Sequence, residues 1–463
     1  METDSSFSIV HAYDGTPMQE VKKVNANAVE VMLTRADALH KSRAKELPTW
    51  QRIKILQNLI KLMDSEADEF ALLIAYEGGK PLSDARIEVE RAINGVELAI
   101  SELSRHAGVE IPLDITEGGA GRLAFTTKEP IGVVVAISAF NHPLNLIVHQ
   151  VVPAIAVGCP VIVKPAGPTP LNCLRFVELL HQAGLPEDWC QACPCDNEVA
   201  ERLVSDPRVA FFSFIGSSKV GWYLRSILAP GTRCALEHGG AAPVIVADDA
   251  DFEQMLPSLV KGGYYHAGQV CVSVQRIFVS NAVKGAFVDG FQELVSKLNV
   301  GDPADPETEV GPLIRPGEVD RVESWVNEAK VLGAHCPTGG VRLGNRVYAP
   351  TVLVDPLDDT YVSTSEIFGP VTCVYGFDDI DIAISKANAL PVAFQASVFT
   401  QDINRAFHVA RDLDASAVMV NDHSAFRVDW MPFAGRRTSG LGTGGIGHTM
   451  EDMSQDKMMV IKT

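Results

Sequence analysis

Apolar positions along this chain change period several times, and each change marks an element. Between residues 50 and 107, Ile53, Leu56, Leu59, Ile60 and Met63 recur at three- and four-residue spacing, and a second amphipathic run extends from Ser83 to about His106. Both predict helices that bury one face. Residues 112–128 are polar and include "EGGAG", which suits a protruding hairpin. From residue 131 the texture differs. "IGVVVAIS" is an apolar run of strand length, followed by a helical stretch to Gly158. The strand "CPVIVKP", the helix "TPLNCLRFVELLHQAG" closed by Gly184, the strand "RVAFFSFIG" and the helix "SSKVGWYLRSIL" come next, then the strands "RCALEHGG" and "PVIVADD". A second series, from about 251 to 430, holds the strand candidates "QRIFVS", "APTVLV", "VTCVYGF" and "AVMVN". Strands alternating with helices at this spacing imply βαβ crossovers and largely parallel sheets. The longest apolar run, 143–163, is broken by His149, Gln150, Pro153 and Pro160, so it predicts a helix, a turn and a buried strand, not a membrane span. The pattern as a whole predicts an α/β fold of two α/β domains plus a hairpin.

Composition narrows the class. A chain of 463 residues exceeds one ordinary core. A net charge of −19 argues against nucleic acid or an anionic membrane as the main partner, and leaves room for a small anionic ligand in a local pocket. The stretch "METDSSFSIVHAYDG" has no apolar run of the secretory kind, and nine scattered cysteines fit free thiols in a reducing, cytoplasmic setting.

One cysteine stands out. In "AGQVCVSVQR", Cys271 lies among small residues that let a carbonyl approach. Taken singly, Cys271 reads as a small core hydrophobe, Glu237 in "LEHGGAAPVIV" as an ion-pair partner, and Asn141 as a turn residue before Pro143. A thiol attacks an aldehyde only as thiolate, so it needs a lowered pKa or a nearby base. The oxyanion it creates needs preset donors, for which an amide side chain and a backbone N–H serve.

Seven segments, in order, carry a resemblance: "FNHP" (140–143), "VIVKPAGPTPL" (161–171), "FIGSSKVG" (214–221), "LEHGG" (236–240), "GQVC" (268–271), "EIFGPV" (366–371) and "PFAGRRTSGLG" (432–442). Over nearly its full length the chain resembles the NAD(P)-dependent aldehyde dehydrogenases, and within them the branch containing lactaldehyde, glyceraldehyde and phosphonoacetaldehyde dehydrogenases. The resemblance implies a cofactor-binding domain over 1–111 and 128–239, a catalytic domain over 240–437, and oligomerisation elements at 112–127 and 438–463 that make a homodimer or homotetramer. It implies Cys271 as nucleophile, Asn141 and the N–H of Cys271 as oxyanion donors, and Glu237 as the base that directs water onto a thioester. For NAD or NADP it implies Gly216 and Ser217 at a strand-to-helix junction, where open N–H groups favour pyrophosphate. Lys164 is implied at the adenosine ribose, Gly239, Glu366 and Phe368 at the nicotinamide end. At Gly167, strongly NAD-preferring members tend to carry glutamate, so NADP is permitted here. His142, Val270 and Arg427, with Arg436 beside them, are expected to line the substrate pocket. Relatives acting on phosphate- or phosphonate-bearing aldehydes often have arginine in place of Val270. His238 stands where leucine is usual.

The substrate expected is a small hydroxylated, anionic or sugar-derived aldehyde. No metal is expected: "CQACPC" (190–195) has C-x-x-C spacing without a second ligand pair. "GLGTGG" (440–445) matches a dinucleotide fingerprint without its strand–turn–helix setting, and reads as a turn. Two rival functions are a CoA-acylating semialdehyde dehydrogenase, against which Glu237 speaks, and a catalytically silent structural relative, against which the Cys271, Glu237 and Asn141 set speaks.

Overall fold

The computed structural model describes residues 5–42 and 46–463; the opening residues 1–4 of the acidic N-terminal stretch lie outside the described residues. Two sheets carry the molecule. The first has six strands, ordered Gly440–Leu441, Arg233–Glu237, Val209–Ile215, Val133–Ile137, Val161–Lys164 and Cys190–Ala192, parallel except for Gly440–Leu441. Its central strand VVVAI is buried at every position because helices cover both faces. Val134 and Ala136 pack with the helices Thr49–Ser65, Leu82–Leu103 and Asn145–Val157, whereas Val133, Val135 and Ile137 pack with Ala26–Lys41 and Asn197–Val204. That is the period of two expected of a strand. Strand order reverses between Val133–Ile137 and Val209–Ile215, so a crevice opens beyond their C-terminal ends.

The second sheet has seven strands, ordered His335–Thr338, Thr351–Val354, Val371–Phe377, Val274–Ser280, Ala242–Val246, Gln395–Phe399 and Ala417–Val420. Only the edge strand His335–Thr338 is antiparallel. Residues 238–241 alone separate the C-terminal end of Arg233–Glu237 from the start of Ala242–Val246. Cys271 lies just before Val274–Ser280, and Phe368 just before Val371–Phe377. The N-terminal ends of the second sheet therefore meet the C-terminal ends of the first across one cleft.

The segment read as a hairpin is part of a third, three-stranded sheet. Arg122–Pro130 pairs with Glu110–Ile111 on one edge and along its whole length with Ser454–Lys462 on the other. Met458, Met459, Val460 and Ile461 are exposed on it. No helix among the described residues is long and apolar enough to cross a membrane.

Several details differ from the sequence reading. In Thr49–Ser65 the buried stripe runs through Ile55, Leu56, Leu59 and Met63, while Ile53 and Ile60 are half-buried. Pro153 sits inside Asn145–Val157, where the apolar face continues past it. Cys190–Ala192 is an edge strand; the nine cysteines, as expected, are free thiols.

Candidate active site

The helix Phe252–Tyr264 ends in an unusual turn. His266, Ala267 and Gly268 have φ of 48°, 54° and 70°, a left-handed run. For residues with a Cβ such geometry costs on the order of 1–3 kcal/mol each and persists only when the surroundings impose it. Here Gln269 imposes it. Its buried amide donates to the carbonyls of His266 and Pro312, both at 3.2 Å, and accepts the N–H of Ile314 at 2.9 Å. A Cβ on Gly268 would collide with the carbonyl of Gly369, so only glycine fits. The turn delivers Cys271 half-buried to the cleft.

Asn141, 6% exposed, donates one amide hydrogen to the carbonyl of Gln269 at 2.9 Å. Its second amide hydrogen has no other partner among the described residues, and the N–H of Cys271 is directed at its own sulfur. Burial pushes the Cys271 thiol up to about 12; Arg427 opposes this, while Glu366 and Glu237 add to it. The thiol is therefore protonated at neutral pH. The Glu237 carboxyl is raised by burial against a pull from Arg427. It rests on the bare backbone of Gly444, where a Cβ would strike Oε1. The "GLGTGG" segment differs from the turn expected of it: Gly440–Leu441 is a short edge strand paired with Leu236 and Glu237, and Gly444 further on is the wall behind this carboxylate.

Val270 packs with Val272, Phe394 and Phe433. The Arg427 guanidinium stands 3.5 Å over the Phe433 ring, and its Nε is buried without a hydrogen-bond partner. His142 is bonded through Nε2 to the Tyr265 hydroxyl at 3.2 Å and is held neutral by burial, with Lys80 and Arg91 reinforcing. Arg436 does not join this group: it is exposed and paired with Asp414.

A buried polar network behind the pocket escaped sequence reasoning. Arg91 donates twice to Asp429, at 2.9 and 2.8 Å, and Asp429 also contacts His149 at 2.8 Å and Asn145 at 3.2 Å. Glu88 pairs with Lys80 and accepts the N–H groups of Leu144 and Asn145, just beyond Asn141. Asp84, Glu88 and Arg91 share one face of Leu82–Leu103. Charges at four- and three-residue spacing on the otherwise apolar face were the available signal.

The other side of the cleft fits a dinucleotide. Gly216 and Ser217 join Val209–Ile215 to the helix Ser218–Ser226, leaving first-turn N–H groups open. Lys164 is buried at the end of Val161–Lys164, with a single long contact of 3.5 Å to the Pro165 carbonyl. A Cβ built on Gly167 meets nothing within 4 Å. Glu366 accepts the Gly240 N–H at 3.2 Å, and burial pushes its carboxyl up to about 8. A Cβ on Gly239 would collide with that carboxylate. Phe368, with φ of 46°, meets Phe140 edge-on at 5.8 Å. Phosphate donors at one end and a hydroxyl-accepting carboxylate at the other suit NAD or NADP.

Known proteins resemble the chain over nearly its whole length. The family model "Aldehyde dehydrogenase family" matches residues 1–459. A 3-sulfolactaldehyde dehydrogenase from Priestia aryabhattai is 38% identical over 461 residues, covering 99% of this chain and 95% of that protein. The crystal structure of aldehyde dehydrogenase 21 from Physcomitrella patens, in complex with the reaction product succinate, superposes with a TM-score of 0.96 at 33% identity, over 100% of this chain and 96% of that one. The structure of a glyceraldehyde-3-phosphate dehydrogenase from Methanocaldococcus jannaschii, complexed with NADP, gives 0.94 at 33% identity over 100% of both chains. The chain belongs to the aldehyde dehydrogenase family and is an NAD(P)-dependent enzyme of aldehyde oxidation.

Proposed function

We propose that the protein oxidises a short aldehyde bearing an anionic group to the carboxylic acid, with Cys271 as nucleophile and water as acyl acceptor. The observation that carries the substrate class is Arg427. It lies within electrostatic reach of Cys271 and Glu237, and makes no ion pair among the described residues. Glu237 and Asp429 attract it without pairing with it directly, so this desolvated cation is only partly compensated, and an anionic substituent on the substrate supplies a direct partner. Arg91, by contrast, is already neutralised by Asp429. The names of the relatives support the reading, since sulfolactaldehyde, succinate and glyceraldehyde 3-phosphate are all anionic. The neutral His142–Tyr265 pair offers hydrogen bonds to a substrate hydroxyl.

In this reading Glu237 takes the thiol proton of Cys271 and releases it to solvent. The thiolate attacks the aldehyde carbon, and the oxyanion receives hydrogen bonds from Asn141 Nδ2 and the Cys271 N–H. The nicotinamide cofactor, when bound, supplies the hydride acceptor that turns the hemithioacetal into a thioester. Glu237 then takes a proton from the water that attacks the thioester, releasing the acid and restoring the Cys271 sulfur. Gly216 and Ser217 hold the pyrophosphate, Lys164 the adenosine ribose, and Glu366 the nicotinamide ribose, with Gly239 giving backbone clearance, Phe368 lining the pocket and Gly167 leaving space for a 2′-phosphate.

The proposal includes the division into cofactor-binding (1–111 and 128–239), catalytic (240–437) and oligomerisation (112–127 and 438–463) segments, and a cytoplasmic setting. It also includes a homodimer or homotetramer that covers the open edge and exposed apolar residues of Ser454–Lys462. Turnover on a panel of short aldehydes, anionic and neutral, with and without CoA, tests the substrate and acceptor. Higher kcat/KM for sulfonated or carboxylated aldehydes, independent of CoA, is expected. A preference for neutral aldehydes would overturn the substrate class, and CoA-dependent turnover would overturn the acceptor.

A further inference from the structure

His238 occupies the position after the proposed base, yet its ring faces the other way. It is 2% exposed and lies between Phe214 and Trp222, with ring centroids 5.7 and 5.8 Å away. The helix residue beneath it is Gly221, where a Cβ would collide with the imidazole. Nδ1 is 3.1 Å from the carbonyl of Gly216. A carbonyl only accepts, so Nδ1 carries the hydrogen. Burial holds the ring neutral, which leaves Nε2 as a bare acceptor, buried and without a partner among the described residues.

Gly216 is thereby held on both sides by two consecutive residues. Its N–H donates to the carbonyl of Glu237 at 3.0 Å, and its carbonyl accepts from His238. A peptide unit is planar, with C=O and the following N–H pointing in opposite directions. Fixing the Gly216 carbonyl toward His238 therefore aims the Ser217 N–H away from it. That N–H has no partner among the described residues and opens the helix Ser218–Ser226. We propose that His238 is a positioning residue for the cofactor: its Nδ1–H locks the Gly216–Ser217 peptide so that the Ser217 N–H is preset to donate to the cofactor's pyrophosphate.

A space-filling role predicts something different. Leucine would fill a similar volume without leaving a buried nitrogen unpaired. An unpaired buried acceptor costs free energy, so a role in filling space alone would favour leucine. The imidazole contributes what leucine lacks, a donor aimed at Gly216. Asparagine is smaller, but its Nδ2 stands near the place of the imidazole Nδ1 and retains that donor.

The inference rests on the reading of Gly216 and Ser217 as the pyrophosphate turn, and the test separates the two. Dissociation constants for NADH and NADPH are measured by fluorescence titration on the full-length native protein and on His238→Leu, His238→Asn and Ser217→Pro, with melting temperatures recorded without cofactor. Ser217 has φ of −66°, which proline adopts, so Ser217→Pro removes the N–H with little change of backbone. The expected result is roughly tenfold weaker cofactor binding in His238→Leu, binding within about twofold of native in His238→Asn, and an unchanged KM for aldehyde in both. Native-like affinity in folded His238→Leu would overturn the donor role, as would weaker binding in folded His238→Asn. Should the leucine variant not fold, the asparagine variant decides alone by the same criterion. Unchanged affinity in Ser217→Pro would instead overturn the pyrophosphate reading of the turn itself.

Discussion

The two sheets bring opposite ends to the same cleft, and what each contributes differs in kind. In the proposed reading the cofactor side works largely through backbone: the strand Val209–Ile215, one turn, then the open N–H groups of Ser218–Ser226. On the catalytic side they are single side chains in desolvated places: Cys271 after a left-handed turn, Glu237 against Gly444, and Arg427 stacked on Phe433. Backbone donors share their load over several weak contacts, so changes there shift affinity. The proposed nucleophile and base would act as a unit, so changes there are expected to stop turnover.

The largest effect is therefore expected at Cys271. Cys271→Ser replaces a thiol by an alcohol of far higher pKa. Loss of roughly 10³-fold or more in kcat is expected, with cofactor dissociation constants unchanged. Steady-state reduction of NAD(P) together with a binding titration measures both, and retained turnover would end the covalent mechanism. Glu237→Gln comes next. Steady-state turnover should fall by roughly 10²–10⁴-fold, while stopped flow shows a slower burst of reduced cofactor close to one per active site. A normal steady state would mean that another group activates water.

How legible these two sides were follows from the same difference. Strands buried on both faces, such as Val133–Ile137 and Val161–Lys164, announce themselves as apolar runs, and the strand-to-helix junction at Gly216 follows from them. Gln395–Phe399 is also fully buried, but its glutamine and serine hid it in an unbroken polar–apolar mixture. The edge strands Ser6–Val10 and Pro17–Lys22 are largely exposed and so lack an apolar signature. Cys271, Asn141 and Glu237 were singled out through motif order alone; no periodicity marks them. The left-handed turn at 266–268 was invisible, because its geometry is set by Gln269 reaching Ile314 and Pro312, far along the chain. Charges on the buried face of Leu82–Leu103 were hidden by the usual rule that charge means solvent. Asp84, Glu88 and Arg91 instead find partners in Lys261, Lys80 and Asp429.

Arg427 gives an intermediate effect that sharpens the contrast. Arg427→Gln should lower kcat/KM for anionic aldehydes roughly 30-fold, about 2 kcal/mol, and leave a neutral aldehyde of the same length nearly unaffected. Equal losses on both would remove its role as counter-ion. The same variant makes a pH prediction. Burial raises the Glu237 carboxyl and Arg427 restrains the rise. A base must be deprotonated to act, so activity fades as pH falls through its pKa. In the native enzyme the acid limb of kcat should therefore lie above the ordinary carboxylate range, and in Arg427→Gln it should move to still higher pH. A limb that stays in place would show that the two groups are uncoupled.

The smallest effect belongs to the cofactor side, at Gly167. A Cβ there meets nothing within 4 Å, so Gly167→Glu adds a carboxylate without disturbing packing. Near the adenosine ribose, that carboxylate would accept hydrogen bonds from a free 2′-hydroxyl and repel a 2′-phosphate. Lys164, close to the same place, would attract the phosphate or bond the hydroxyl, and so serves both cofactors. The native enzyme is accordingly expected to use NADP measurably as well as NAD. In an exposed position the new charge is worth about 0.2–1 kcal/mol, so the NAD:NADP ratio of kcat/KM should rise by roughly 1.4- to fivefold. The shift should shrink at high salt, because exposed charges are screened over about 10 Å at 0.1 M. Full kinetics with both cofactors on both proteins measure it. Strict NAD use by the native enzyme, with no change in the variant, would mean that groups outside this loop choose the cofactor.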